Sequence, residues 1–104
     1  MKLIGFTRKT TWLSTEEHGW GCGYVAVPKE HKLYGVSYDQ LDSIDIYGGL
    51  SFSDKWMNGM PEEVKEMWIF GFDCNHYGDT LENCPEEFVN SEVESLKEQL
   101  SLLS

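Results

Sequence analysis

Basic residues are scarce in this 104-residue sequence, which has 8 lysines and arginines against 18 aspartates and glutamates. The net charge of −10 argues against ordinary binding to nucleic acid or to anionic membranes, because both need clustered lysine and arginine. No apolar run reaches transmembrane length, and the first residues lack the apolar core of a signal peptide. We therefore expect no direct nucleic-acid partner, no membrane and a location in the cytoplasm.

Several common motifs are also missing. The sequence contains no Cys-x-x-Cys pair, no Walker loop, no G-x-G-x-x-G and no internal repeat. Its three cysteines, Cys22, Cys74 and Cys84, are an odd number in a short chain, which favours reduced thiols over a disulfide framework. The length fits one compact domain over residues 1–104, and these patterns indicate no cofactor.

Three short runs rich in β-branched and aromatic residues predict strands. Residues 2–8 are a candidate first strand, and residues 23–27 are apolar on both faces, which is typical of an inner strand. Residues 68–73 give the strongest pattern, with three aromatic residues on one face: Trp68, Phe70 and Phe72. The opposite face holds Gly71, and a glycine there often lets another group approach closely.

The alternating segment "IDIYGGLSFSD", residues 44–54, predicts a further strand. Ile44 and Ile46 point to one side, and the alternation resumes at Leu50 and Phe52 beyond a bend at Gly48 and Gly49. The sequence thus predicts about four strands.

Two segments have helical patterns. Pro61 suits a first helical position, so a short helix to about Met67 is predicted. A longer helix begins at Pro85, and its apolar residues step by four and three: Val89, Val93, Leu96, Leu100 and Leu103. The other side of this helix faces water and carries three acidic residues: Glu92, Glu94 and Glu98. We predict an α+β fold, a small mostly antiparallel sheet with the C-terminal amphipathic helix packed on one face.

The stretch "HGWGCGYVAV", residues 18–27, is the first candidate for chemistry. Its "GWGCGY" resembles proteases acting on ubiquitin-like modifiers, which present a reactive cysteine after Trp-Gly. A reactive thiol usually lies at a helix N-terminus, whereas a strand follows Cys22 here. We interpret the stretch as a glycine-rich bend that enters an inner strand, with Trp20 packed beneath it and Cys22 buried.

A second candidate is the stretch "FDCNHYGD", which offers Asp73, Cys74, His76 and Asp79 as ligands or acid–base groups. On a strand, Cys74 and His76 would point to the same side and could reach one metal ion. A small metal-binding protein or hydrolase is therefore the alternative hypothesis. The competing interpretation is that aspartate, asparagine and glycine form the turn that leaves the strand.

Aromatic and glycine residues near the strand ends suggest a recognition surface without a reactive side chain. Exposed main-chain amides and ring faces suit planar, nucleotide-like ligands or a protein partner. The residues predicted to line this surface are Trp20, Cys22, Tyr24, Tyr47, Gly48, Gly49, Asp73, His76, Tyr77 and Asp79. Core packing is the competing role for each of these aromatic residues.

The segments "CGYVAVPKEHKLYGVSYDQL", "YGGLSF" and "WIFGFDCNHYGD", followed by "VESLKEQL", resemble a family of small uncharacterised proteins encoded by bacteriophages and prophages. The resemblance spans about residues 18–100. It implies a non-enzymatic accessory protein, with counter-defence as one role: either an inhibitor of a host protein or a sponge for a nucleotide-like signal. The family often has His-Gly-Gly-Leu where this chain has Tyr47, Gly48, Gly49 and Leu50. This departure weakens the enzyme and metal hypotheses.

Overall fold

The computed structural model of the chain describes residues 2–11, 18–74 and 78–104. These residues contain four strands, β1 (Ile4–Lys9), β2 (Gly21–Val27), β3 (Phe52–Lys55) and β4 (Trp68–Asp73), and one α-helix, α1 (Glu86–Leu102). The strands form one sheet in the order β1-β2-β4-β3, and every neighbouring pair is antiparallel. The predicted α+β class, with a helix packed on a four-stranded antiparallel sheet, is confirmed.

Strand β2 lies at the centre of the sheet between β1 and β4, and each of its seven residues is buried. Both of its faces are covered because the sheet has a layer on either side. Val25 and Val27 lie in the cluster beneath α1, whereas Tyr24 and Ala26 lie in a second cluster on the opposite face. The continuous apolar run in the sequence reflects this double burial.

Helix α1 covers one face of the sheet and buries four of its apolar residues: Val89, Val93, Leu96 and Leu100. They pack against Phe70 and Phe72 of β4, which lie on the face that the sequence assigned to them. The buried stripe ends at Leu100 and does not include the predicted Leu103, which is 37% exposed at the end of the helix. Glu92 also departs from the expectation, because its carboxylate accepts a hydrogen bond from the Tyr47 amide at 2.6 Å.

The second face of the sheet is covered by the segment that connects β3 to β4. Met60 and Val64 are buried there against Ile69. The helix predicted from Pro61 to about Met67 is wrong, because only a single 3-10 turn forms at Glu62–Val64. Pro61 keeps extended dihedral angles, and successive i→i+3 hydrogen bonds close the segment before β4 begins at residue 68.

The strand predicted over residues 44–54 is shorter than expected and begins only at Phe52. Ile44 and Ile46 are buried in the core beneath α1, as their alternation indicated, but their backbone has no strand neighbour. The amides of Asp45 and Tyr47 instead donate to side chains of α1, those of Gln99 and Glu92. Helix side chains therefore take the place that a neighbouring strand would have.

Two further observations complete the fold. His31 is 3% exposed and fixes the C-terminal end of α1, because its Nε2 donates to the Leu100 carbonyl at 2.8 Å while its Nδ1 accepts the Leu33 amide at 3.0 Å. In the part of the chain that the structure describes, no helix has the length and apolar character needed to cross a membrane.

Candidate functional site

The bend before β2 meets the ends of two other segments at one end of the sheet. The Gly19 amide donates to the Cys74 carbonyl at 2.6 Å, and the Trp20 amide donates to the Cys84 carbonyl at 2.8 Å. The Cys74 amide donates in turn to the carbonyl of Gly21 at 3.1 Å. The bend, the end of β4 and the approach to α1 are thus joined by main-chain hydrogen bonds.

A buried carboxylate organises the same end of the sheet. Asp79 is 2% exposed, and its Oδ1 accepts hydrogen bonds from the Tyr47 hydroxyl and, at 3.7 Å, from the Cys84 thiol. The ring of Tyr47 packs edge-on against Phe88 at 5.3 Å between centroids. Asp79 therefore holds the loop at residues 47–49 beside the loop at residues 78–84.

The two thiols and the tyrosine hydroxyl of this network keep their protons in the folded state. Burial, followed by the neighbouring Cys84, raises the pKa of the Cys74 thiol well above its usual range. Burial likewise raises the pKa of Cys84. The hydrogen bond to Asp79 is the main cause that raises the pKa of the Tyr47 hydroxyl. None of these groups is an activated nucleophile at neutral pH.

These raised pKa values predict a loss of stability at alkaline pH. Thiols of the unfolded chain ionise near pH 9.0, whereas the folded protein holds Cys74 protonated to higher pH. The unfolded state therefore loses protons first, so the stabilisation is complete below about pH 9 and declines above it, by about 1.4 kcal/mol per pH unit for one proton. We expect urea unfolding midpoints to fall between about pH 8 and about pH 10.

Cys22→Ser supplies the control for this prediction, because burial also raises the pKa of Cys22 and the variant removes one titrating thiol. Its midpoint should decline less steeply with pH than that of the parent protein. A parent midpoint that is constant over this pH range would contradict the protonated, buried state of the thiols.

Three of the predicted surface residues lie on the other face of the sheet. Cys22, Tyr24 and Asp73 alternate away from α1, and Cys22 is paired in register with Asp73. Tyr24 is 8% exposed and lies in a row of rings, stacked on Phe6 at 5.0 Å and edge-on to Phe52 at 5.7 Å. The structure therefore separates these residues from Tyr47 and Asp79, and no single surface includes all of the predicted residues.

Gly71 explains how the row of rings crosses the sheet. It lies between Tyr24 and Phe52 in register, and a Cβ at this position would be 2.5 Å from Cδ1 of Tyr24. The close approach predicted from this glycine is thus made by an aromatic ring of the protein itself. The nucleotide-like ligand hypothesis needs an accessible ring face at Tyr24, whereas this ring is covered by the packing of the protein itself.

Cys22 does not have the environment of a catalytic thiol. It lies within β2 and not at a helix N-terminus, and burial is the main cause that raises its pKa. Catalysis through Cys22 therefore finds no support in the described residues.

The proposed metal ligands also diverge. Cys74 packs in the core beneath α1, whereas Asp73, its neighbour on the strand, lies on the opposite face beside Cys22. Among residues 2–11, 18–74 and 78–104, no group of three or more histidine, cysteine, aspartate or glutamate side chains is arranged to hold a metal ion. His76 and Tyr77 lie outside the described residues.

Gly48 and Gly49 form the turn that was predicted as a bend. Their φ angles of 72° and 75° are in the left-handed region, which favours glycine. Gly48 is exposed, and a Cβ at Gly49 would meet no atom within 4 Å. This turn therefore leaves main-chain groups accessible beside Tyr47.

Sequence reasoning missed the contribution of Cys84 and Phe88. Both lie next to the start of α1, and about 40 positions of sequence separate them from Tyr47. The proline after Cys84 was the signal that could have located both residues. It marks the start of α1, and so places Cys84 just before the helix and Phe88 in its first turn.

Comparison of the chain with protein-family models, with curated proteins and with solved structures finds no match. The function is therefore inferred from the geometry and charge of this chain, together with the resemblance described above.

Proposed function

We propose that this chain is a non-enzymatic accessory protein of phage or prophage origin that acts in the host cytoplasm by binding a basic host protein. The proposed contact area is the rim surface, defined as residues 47–49, 78–83, 86 and 87. The observation that carries this proposal is the buried Asp79, which fixes two exposed loops of the rim surface against each other through Tyr47.

The rim surface offers exposed apolar anchors on a fixed base. Tyr47 is 37% exposed and Leu81 is 51% exposed, although both belong to loops held by the buried carboxylate. The second loop is also closed by its own hydrogen bonds, since Asn83 accepts the Thr80 amide at 2.8 Å. Protein interfaces commonly use such aromatic side chains as anchors, and a fixed loop loses less entropy on binding.

The charge of the rim surface selects the kind of partner. Glu82, Glu86 and Glu87 are exposed, and the rim surface contains no lysine or arginine. None of the three rim glutamates forms an ion pair with another residue in the described part of the chain. Complementary charge speeds association and suppresses wrong partners, which favours a basic protein surface.

A protein partner is favoured over a nucleotide-like ligand because several aromatic side chains are already packed or hydrogen-bonded within the fold. Tyr24 is covered by Phe6 and Phe52, and the indole of Trp68 donates to the Val36 carbonyl at 2.9 Å. The indole of Trp56 similarly donates to the carbonyl of Pro61. These rings are thus engaged in the packing and hydrogen bonds of the fold.

The test is charge reversal on the rim surface with a matched control. The variant Glu82→Lys, Glu86→Lys, Glu87→Lys is compared with Glu62→Lys, Glu63→Lys, Glu66→Lys, which makes the same change in net charge on exposed residues elsewhere. Each tagged protein is expressed in the bacterial host, and the proteins retained on it are quantified by mass spectrometry. We expect the rim variant to lose the main basic partner by about tenfold or more, and the control to retain it within about twofold.

Equal retention by the two triple variants would contradict the rim surface as the contact. Native mass spectrometry of the parent protein separates the other version of the hypothesis. A stoichiometric small molecule that is bound by the parent and lost in Tyr47→Ala would replace the protein partner with a ligand.

A further inference from the structure

We propose that Cys74 and Cys84 are a modification site, a pair of thiols that a small disulfide such as oxidised glutathione converts into a reversible intramolecular disulfide. This inference is independent of the binding function, because it concerns the covalent state of the protein and not its partner. It also differs from the expectation that all three cysteines are simply reduced and structural.

The contact that both cysteines make with Gly19 places them next to each other. A Cβ built at Gly19 would be 2.6 Å from the Cβ of Cys74 and 2.7 Å from the Cβ of Cys84. These two distances limit the separation of the two Cβ atoms to about 5.3 Å at most, a range that includes the roughly 3.5–4.5 Å found in disulfides. The absence of a side chain at position 19 is what permits this approach.

The Cys84 thiol also lies close to a carboxylate. Its Sγ is 3.7 Å from Oδ1 of Asp79, and the neighbouring Cys84 is one of the causes that raise the pKa of Cys74. Cys74 is fully buried and Cys84 is 1% exposed, and both lie in the core cluster beneath α1. Cys22 is on the opposite face of the sheet and cannot compete for either.

The chemistry balances with one equivalent of oxidised glutathione. Cys84 loses its proton to solvent base, and its thiolate attacks one sulfur of the glutathione disulfide, which releases one glutathione thiolate. Cys74 likewise loses its proton to solvent base, its thiolate attacks the Cys84 sulfur of the mixed disulfide, and the second glutathione leaves as thiolate. The protein is oxidised by two electrons, glutathione disulfide is reduced to two glutathiones, and the two thiol protons pass to them.

The exposed loop at residues 78–83 is the route by which the reagent reaches Cys84. Gly78, Leu81 and Asn83 are exposed, whereas the thiol itself is covered. Oxidation therefore needs a local opening of this loop, and raised pKa values lower the thiolate fraction. We expect a slow reaction that accelerates as the pH rises, up to about tenfold per pH unit for one thiolate.

The experiment uses the parent protein and Cys22→Ser, each incubated with oxidised glutathione and measured by intact mass. We expect both proteins to lose about 2 Da and to regain it with dithiothreitol. Proteolysis after Glu82 separates Cys74 from Cys84, so a disulfide between them joins two peptides that are otherwise distinct. We also expect the melting temperature of the oxidised form to rise by about 5 °C, because the link constrains the unfolded chain.

Cys74→Ser and Cys84→Ser are the matched controls, and each should retain only an intermolecular adduct with glutathione. If either variant fails to fold, the joined peptides in the parent protein decide the question alone. A parent protein that keeps its mass, or a disulfide that includes Cys22 or links two chains, would overturn the proposal.

Discussion

Gly19→Ala is expected to destabilise the protein by about 3 kcal/mol or more, since a new methyl group would overlap atoms that cannot move independently. The added Cβ would be 2.6 Å from both the Cβ and the carbonyl oxygen of Cys74, and 2.7 Å from the Cβ of Cys84. The bend would have to separate from β4 and from the start of α1, and so break the hydrogen bonds of the Gly19 and Trp20 amides. Urea unfolding followed by tryptophan fluorescence measures this loss.

Gly35→Ala is the matched control for this prediction. Gly35 has a φ of 82°, and a Cβ there would meet no atom within 4 Å. Its replacement therefore costs only the strain of a left-handed backbone, about 1 kcal/mol. If Gly19→Ala cost no more than Gly35→Ala, the close packing of the bend on the two cysteines would be wrong.

Leu96→Ala is expected to cost about 3–4 kcal/mol, because it removes the centre of the contact between α1 and the sheet. Leu96 is fully buried in the cluster that contains Phe70, Phe72 and Val25. The neighbouring side chains are held by β2 and β4, so they cannot move to fill the cavity. The free energy of unfolding in urea, measured on parent and variant, gives the difference.

Leu102→Ala makes the same chemical change at the last residue of the same helix. Leu102 is 80% exposed, so this variant should stay within about 0.5 kcal/mol of the parent protein. Similar losses for the two leucines would mean that α1 does not pack on the sheet through its predicted face.

The two large effects concern different kinds of information in the sequence. Leu96 belongs to an apolar stripe with helical spacing, and that spacing is enough to mark the buried face of the helix. Gly19 belongs to a bend that contacts residues 74 and 84, and no local sequence pattern predicts these distant neighbours. The first effect is therefore predictable from the sequence alone, whereas the second requires the fold.

The same distinction explains the strand that did not form over residues 44–47. Alternating isoleucines correctly predicted which side chains are buried, because burial follows from period-two spacing in any extended segment. Alternation says nothing about which groups satisfy the main chain. Here Gln99 and Glu92 do so from α1, 54 and 45 residues away from the amides that they accept.

Separation along the chain also limited how much of the candidate site could be predicted from the sequence. Tyr47 and Asp79 were both predicted surface residues, and the structure joins them by a hydrogen bond across 32 positions. Cys22 and Tyr24 were grouped with them because they also lie beside glycines near a strand end. Strand alternation instead sends these two residues to the opposite face, a result that depends on which face α1 covers.

The sequence by itself determined the charge of the molecule, the core faces of β2, β4 and α1, and the position at which α1 begins. These features follow from composition, from residue periodicity and from the local geometry of proline, all of which act within a few positions. Only the tertiary structure decided that Asp79 accepts hydrogen bonds from Tyr47 and Cys84. It also decided that Cys74 and Cys84 both pack against Gly19. Those contacts arise from packing between distant segments, and no local pattern fixes which distant side chain will fill a given space.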